Sequence, residues 1–280
     1  MSMLRDRDVV MIEEWKKQIL AKSKGILKYI DVGIENPSVI RSRVHNEYYQ
    51  QNWNNCTIDD KMKWLLEEEY KIYLRQSFQA GPTFLQNCEV FCKENSGKFP
   101  LVENLFPVLG ITSELWTALS ILESSLAQGR KTRAGGSLES HLEFLLEDSG
   151  YKKGIDFSTQ EEIQGLNKVR LDFLFPANSS KLISNPNITV TCACMTTVND
   201  RVRLAIQQLQ PNTFRRVPTA HGAAQFKNQL RNLGGRMDYA TKNQFRFIVL
   251  PEVVLYYKNH DTLMTYQEWF DEIEKLRGAW

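Results

Sequence analysis

Apolar residues recur at helical spacing through the first 125 positions. Between Val9 and Leu27 they fall at Val9, Ile12, Trp15, Ile19 and Leu20. Between Asp59 and Phe78 they fall at Met62, Leu65, Leu66, Tyr70, Tyr73 and Leu74. Both sets lie near the spacing that gathers apolar groups into one stripe of an α-helix. Thr83–Cys92 and Ser113–Leu126 read the same way, with Pro82, Pro100 and Pro107 punctuating the intervals. No strand-like alternation of useful length occurs, so residues 1–127 are predicted to form an N-terminal all-α domain.

The pattern changes after a polar, Gly-rich joint, Gln128 to Gly136. Ser137 can cap a helix over Leu138–Ser149 whose apolar stripe is Leu138, Leu142, Leu145 and Leu146. Strands are predicted at Val169–Phe175, Thr189–Thr196 and Phe245–Leu250, and helices at Asp200–Gln210, Ala220–Leu233 and Thr265–Arg277. Strands interleaved with helices indicate an α/β (α+β) domain with a mixed sheet over residues 128–280.

Composition narrows the classes. The 280 residues are 42% hydrophobic and 24% charged, enough for one large or two modest cores. No run of about 18 apolar residues occurs, so no membrane span is expected. The charged N-terminus MSMLRDRDVVMIEEWKK lacks the apolar core of a signal peptide, and five cysteines suit a reducing compartment. A cytoplasmic location is the expectation. A net charge of +2 does not itself announce a nucleic-acid partner. Basic residues do cluster locally, at Arg130, Lys131 and Arg133, at Arg201 and Arg203, and at Arg215 and Arg216. Such groups suit either phosphate contacts or solvated loops.

Candidate chemistry lies in three segments of the second half. Ser137-Leu-Glu139-Ser-His141-Leu-Glu143 sets two carboxylates four apart, on one helix face. Leu171-Asp172-Phe-Leu-Phe-Pro176 puts one carboxylate inside an apolar strand. Cys192-Ala-Cys-Met195-Thr-Thr-Val-Asn199-Asp200-Arg201 is a strand running into a helix. A carboxylate in an apolar strand needs compensation. A divalent cation, held by one or two carboxylates and substrate phosphate oxygens, would supply it. So would pairing of Asp172 with Lys168 or Arg170, or a position at the strand end.

In this order and spacing, RAGGSLESHLE, LDFLFP and MTTVNDR resemble the PD-(D/E)XK restriction endonucleases. They are most similar to the branch that holds the EcoRII catalytic domain and the CCGG-recognising enzymes such as NgoMIV and BsaWI. The resemblance covers residues 130 to 250 approximately. It implies a Mg²⁺-dependent type II endonuclease acting on double-stranded DNA at a short palindrome containing CCGG. A homodimer is implied, since a two-fold site is most simply read by a two-fold protein, with a higher assembly left open.

The resemblance also implies roles. Asp172 would be the metal-binding aspartate, with Leu171 where proline usually stands. Glu139 would support a second metal position or orient the first. Met195 falls at the catalytic lysine, a departure, because a thioether cannot replace a point charge beside the attacked phosphate. Ala193 occupies the second acidic position, which this branch often fills with a glutamate from the next helix; Gln208 stands there. Engineering is the first reading of Met195, since the flanking TT--DR context is kept. Natural divergence and a stand-in such as Lys168 remain open. An inert DNA-binding protein on the same fold is the alternative to the nuclease. A module without any nucleic-acid role is a second.

Asn199, Asp200 and Arg201, with Arg203 beyond, occupy the place where the CCGG-recognising relatives carry an Arg-(Asp/Glu)-Arg element. An arginine fork suits guanine O6 and N7, and a carboxylate suits cytosine N4. Asn199 departs from the first arginine. Taken without the resemblance, the segment also reads as a helix start with a capping residue and a surface ion pair. Arg133 is a further candidate for DNA contact. Cys192 with Cys194, and Cys88 with Cys92, read as buried apolar cysteines or as metal recruits; the four histidines read as scattered. Trp53, Trp64, Tyr70 and Tyr73 read as core or interface residues, or as platforms for bases.

Overall fold

The computed structural model describes residues 33–94, 136–162, 170–195, 220–224, 234–258 and 260–280. The chain divides into two compact units, Met1–Ile40 with Tyr70–Thr132, and Arg41–Glu69 with Arg133–Trp280. In the first unit, Gln76 and Glu35 exchange two hydrogen bonds, the Gln76 amide donating to Glu35 at 2.6 Å.

The second unit is built on a six-stranded sheet in sequential order. Its strands are β1 (Ser158–Glu162), β2 (Arg170–Phe175), β3 (Val190–Met195), β4 (Ala220–Ala224), β5 (Phe245–Ile248) and β6 (Leu263–Met264). The first three pair antiparallel and the last four parallel, so β3 is where the sheet changes sense. Helices α1 (Pro37–Tyr48), α2 (Ile58–Glu94) and α3 (136–148) precede the sheet. Then come α4 (Ser179–Ser184), α5 (Gly234–Lys242), α6 (Pro251–Tyr256) and α7 (Tyr266–Arg277).

Aromatic packing fixes the sheet against its helices. Phe157, Phe173 and Phe175 are fully buried, and Trp269 of α7 meets Phe175 edge-on at 5.6 Å. Burying such side chains contributes about 1.5–3 kcal/mol each. Thr265 and Glu268 close a capping box at the start of α7. Asp59, near the start of α2, accepts the Tyr266 amide at 2.8 Å, so the two helix starts are tied together.

Several expectations are corrected. Pro82 does not break the chain; it lies inside the single helix α2, which joins the two segments predicted on either side of it. Ala220–Ala224 is a strand rather than a helix start. Its alanines favour helix in isolation, but pairing on both edges, with β3 and β5, overrides that weak preference. The rest of that predicted helix, residues 225–233, lies outside the described residues, as do the helices expected at Val9–Leu27, Ser113–Leu126 and Asp200–Gln210. The polar strand β1, the two-residue β6 and the helices α1 and α5 were not foreseen. Ser137 lies within α3 instead of capping it, and its hydroxyl is spent on Glu69.

Candidate active site

Helix α3 carries two kinds of polar residue on neighbouring faces. Its apolar stripe, Leu138, Leu142, Leu145 and Leu146, is fully buried as expected. Between those leucines, Glu139 is turned toward the sheet and Ser137 and His141 toward α1 and α2.

On the sheet side, Glu139 and Asp172 come together. Asp172 is half-buried on β2, between the buried Leu171 and Phe173. Gln160 lies on β1 between Thr159 and Glu161, which pair with Phe173 and Leu171 on either side of Asp172. The Gln160 amide Nε2 donates to Glu139 Oε1 at 2.5 Å and to Asp172 Oδ1 at 3.1 Å. The second Asp172 oxygen, Oδ2, accepts the backbone amide of Cys194 on β3 at 2.6 Å. Two carboxylates from a helix and a strand thus face one point, and that point is filled by a hydrogen-bond donor. Gln160 adopts φ +57 inside a strand. A non-glycine residue there costs on the order of 1–3 kcal/mol, and such strain collects at functional sites.

Hard carboxylate oxygens converging within a few ångströms suit Mg²⁺, which takes one or two carboxylates and completes its shell with water and phosphate oxygens. The donor set therefore fits the cation that the resemblance implies. Among the described residues no group of three or more His, Cys, Asp or Glu gathers as a metal cage. Cys194 lies beside it, and its thiol is held well above the usual range. A hydrogen bond with Cys192, burial, and the charges of Asp172 and Glu139 all oppose its ionisation. Cys192 and Cys194 do face the same side, as free cysteines without a disulfide.

Met195 is the last residue of β3 and pairs with Ala224; its side chain, like those of Cys88 and Cys92, lies outside the described set. Ala193, at the second acidic position, is half-buried opposite Gly222. Arg133, Asn199, Asp200, Arg201, Arg203 and Gln208 all lie outside the described residues.

The other face of α3 holds a cluster that sequence reasoning missed. The Ser137 hydroxyl donates to Glu69 Oε2 at 2.5 Å, and His141 Nε2 sits 2.7 Å from the same oxygen. His141 Nδ1 meets His45 Nε2 at 3.0 Å, and His45 stacks on Phe144 at 4.0 Å. Burial, and then His141, hold His45 down at about 4. The histidines are thus not scattered: two of them share one buried network with a serine and a glutamate. It is no nucleophilic triad. The serine donates to the glutamate rather than to a histidine, and Ser137, Glu69 and His141 are all buried. Sequence separations of 68 between Ser137 and Glu69 and 96 between the histidines hid it.

Trp53 and Trp64 resolve as packing residues. Trp53 stacks on Tyr48 at 4.6 Å, donates its indole N–H to the Tyr48 carbonyl and meets Trp64 edge-on at 5.5 Å. Tyr73 is buried, whereas Tyr70 is exposed.

Residues 111–218 match the protein family described as EcoRII C terminal, a span that includes Glu139, Asp172, Met195 and every other candidate site residue. No curated protein sequence matches the chain. The structure is similar to metal-depleted Ecl18kI in complex with uncleaved DNA, with TM-score 0.64 and 17% identity over 96% of this chain and 85% of that one. Ecl18kI with uncleaved, modified DNA gives TM-score 0.67 and 17% identity over 94% and 85%. The restriction endonuclease PspGI in its substrate DNA complex gives TM-score 0.63 and 16% identity over 91% and 98%. The fold is that of the restriction endonucleases. Among the described residues, no helix is long and apolar enough to cross a membrane.

Proposed function

We propose that the chain is a type II restriction endonuclease that hydrolyses phosphodiester bonds of double-stranded DNA with Mg²⁺. The observation that carries this reading is the convergence of Glu139 and Asp172 on one atom, from a helix and a strand of a restriction-endonuclease fold. Asp172 is the principal ligand, oriented by the Cys194 amide, and Glu139 is the second carboxylate. A cation held there supplies charge stabilisation at the attacked phosphate and an activated water. Gln208 stands in the supporting acidic place. Asp200 and Arg201, with Asn199 and Arg203 beside them, read a palindrome containing CCGG, and Arg133 contributes to DNA contact. The protein acts in the cytoplasm as a homodimer, with its helical domain over residues 1–127 and its nuclease domain over 128–280.

One observation favours a second reading. Met195 stands where the resemblance implies the catalytic lysine, so the chain as written suits a DNA-binding protein with little or no cleavage. Digestion of plasmid DNA by the Met195→Lys protein with Mg²⁺, followed by sequencing of the fragment ends, tests function and target together. Discrete fragments whose ends share CCGG support the proposal. Random ends remove the specificity, and gel-shift binding without cleavage selects the inert binder.

A further inference from the structure

Gln160 was not singled out by any motif, yet it holds the position between the two candidate ligands. Its single Nε2 bridges Glu139 Oε1 and Asp172 Oδ1. A group that supports a ligand from outside hydrogen-bonds it and fixes its orientation. For Asp172 that outer place belongs to the Cys194 amide on Oδ2. Gln160 instead engages Oδ1, the oxygen turned toward Glu139. Its backbone, with φ +57 in the middle of β1, is the strained geometry that aims the side chain there.

Resting on the reading of Glu139 and Asp172 as a metal centre, we infer that the Gln160 amide is a placeholder for the cation. The amide and a divalent ion are alternatives for the same two oxygens. The placeholder, bonded to both, holds the two carboxylates side by side. It also weakens metal binding, because the hydrogen bonds must be given up first. Gln160 is a positioning residue of the metal site, not a ligand.

Mn²⁺ titration calorimetry on the full chain, the Gln160→Gly and Gln160→Met variants and an Asp172→Asn control tests this. Glycine accepts the left-handed backbone, and methionine keeps the length without the donor, so a folding defect in one leaves the other to report. Both variants are expected to bind Mn²⁺ roughly tenfold tighter than the parent, the effect of removing competing charge-assisted hydrogen bonds. In EDTA both should melt below the parent, and saturating Mn²⁺ should close that gap. Unchanged or weaker Mn²⁺ binding by the variants overturns the placeholder, and weaker binding would make Gln160 a ligand. Binding that Asp172→Asn leaves intact, or its absence from parent and variants alike, overturns the metal-centre reading instead and the placeholder with it.

Discussion

One helix separates two polar clusters that share residue types and differ in use. On one face of α3, buried Ser137, Glu69 and His141 form a chain that ends on half-buried His45. On the other, the Gln160 amide bridges the carboxyl groups of Glu139 and Asp172. A closed network rigidifies a core and specifies how its helices pack. A pair of carboxylates brought together by a strained strand residue is, on the proposed reading, the place for a cation. The difference teaches that buried titratable residues announce function by how their groups are left facing one another, and not by being buried.

The comparison can be broken most forcefully from the catalytic side. Met195→Lys should raise Mg²⁺-dependent cleavage by about two to three orders of magnitude, the worth of roughly 3–4 kcal/mol of charge stabilisation at the transition state. Single-turnover rates on a plasmid substrate measure it, and denaturation midpoints should barely move. The opposite pattern is expected of the closed network. Glu69→Ala strips the acceptor from buried Ser137 and the carboxylate from beside buried His141, and should cost about 3 kcal/mol of stability, read by chemical denaturation.

A smaller effect follows from pH. His45 has a folded pKa of about 4 against 6.5 ordinarily, lowered by burial and by His141 and Arg41, with Glu69 opposing. Because the folded value is the lower one, its contribution is fully present above pH 6.5 and is lost as pH falls from there through 4. That loss is roughly 2 kcal/mol once solvent screening of a half-buried group is allowed for. His45→Gln should flatten the stability profile across that window, and a profile unchanged by it would remove His45 from the network. Smallest is the expected loss from Arg201→Ala, about tenfold in binding to a CCGG duplex and little to a scrambled one. Paired salt titrations distinguish this from a phosphate contact, which would weaken both duplexes alike.

Much of the second half was legible from the sequence. The stripe of α3, the strands around Asp172 and Cys192, and the capped α7 all declare themselves by period and by cap residues. That the segments of Glu139 and Asp172 belong together was legible through the resemblance, and Gln160 joins the two side chains. Gln160 was not, because Ser158–Glu162 has no apolar alternation; it is a strand through pairing with β2. Nor was β4, where small residues read as helix until two neighbours fix them. The His45–His141 contact was invisible for a different reason: only the tertiary fold brings such distant positions together.

The central claim is that Asp172 and Glu139 hold the cation of a nuclease, and plasmid cleavage by Met195→Lys and by Met195→Lys combined with Asp172→Asn tests it most directly. In Mg²⁺ the first should produce discrete fragments and the second none, with both proteins unfolding at the same denaturant concentration as the parent. Equal cleavage by the two would contradict the account.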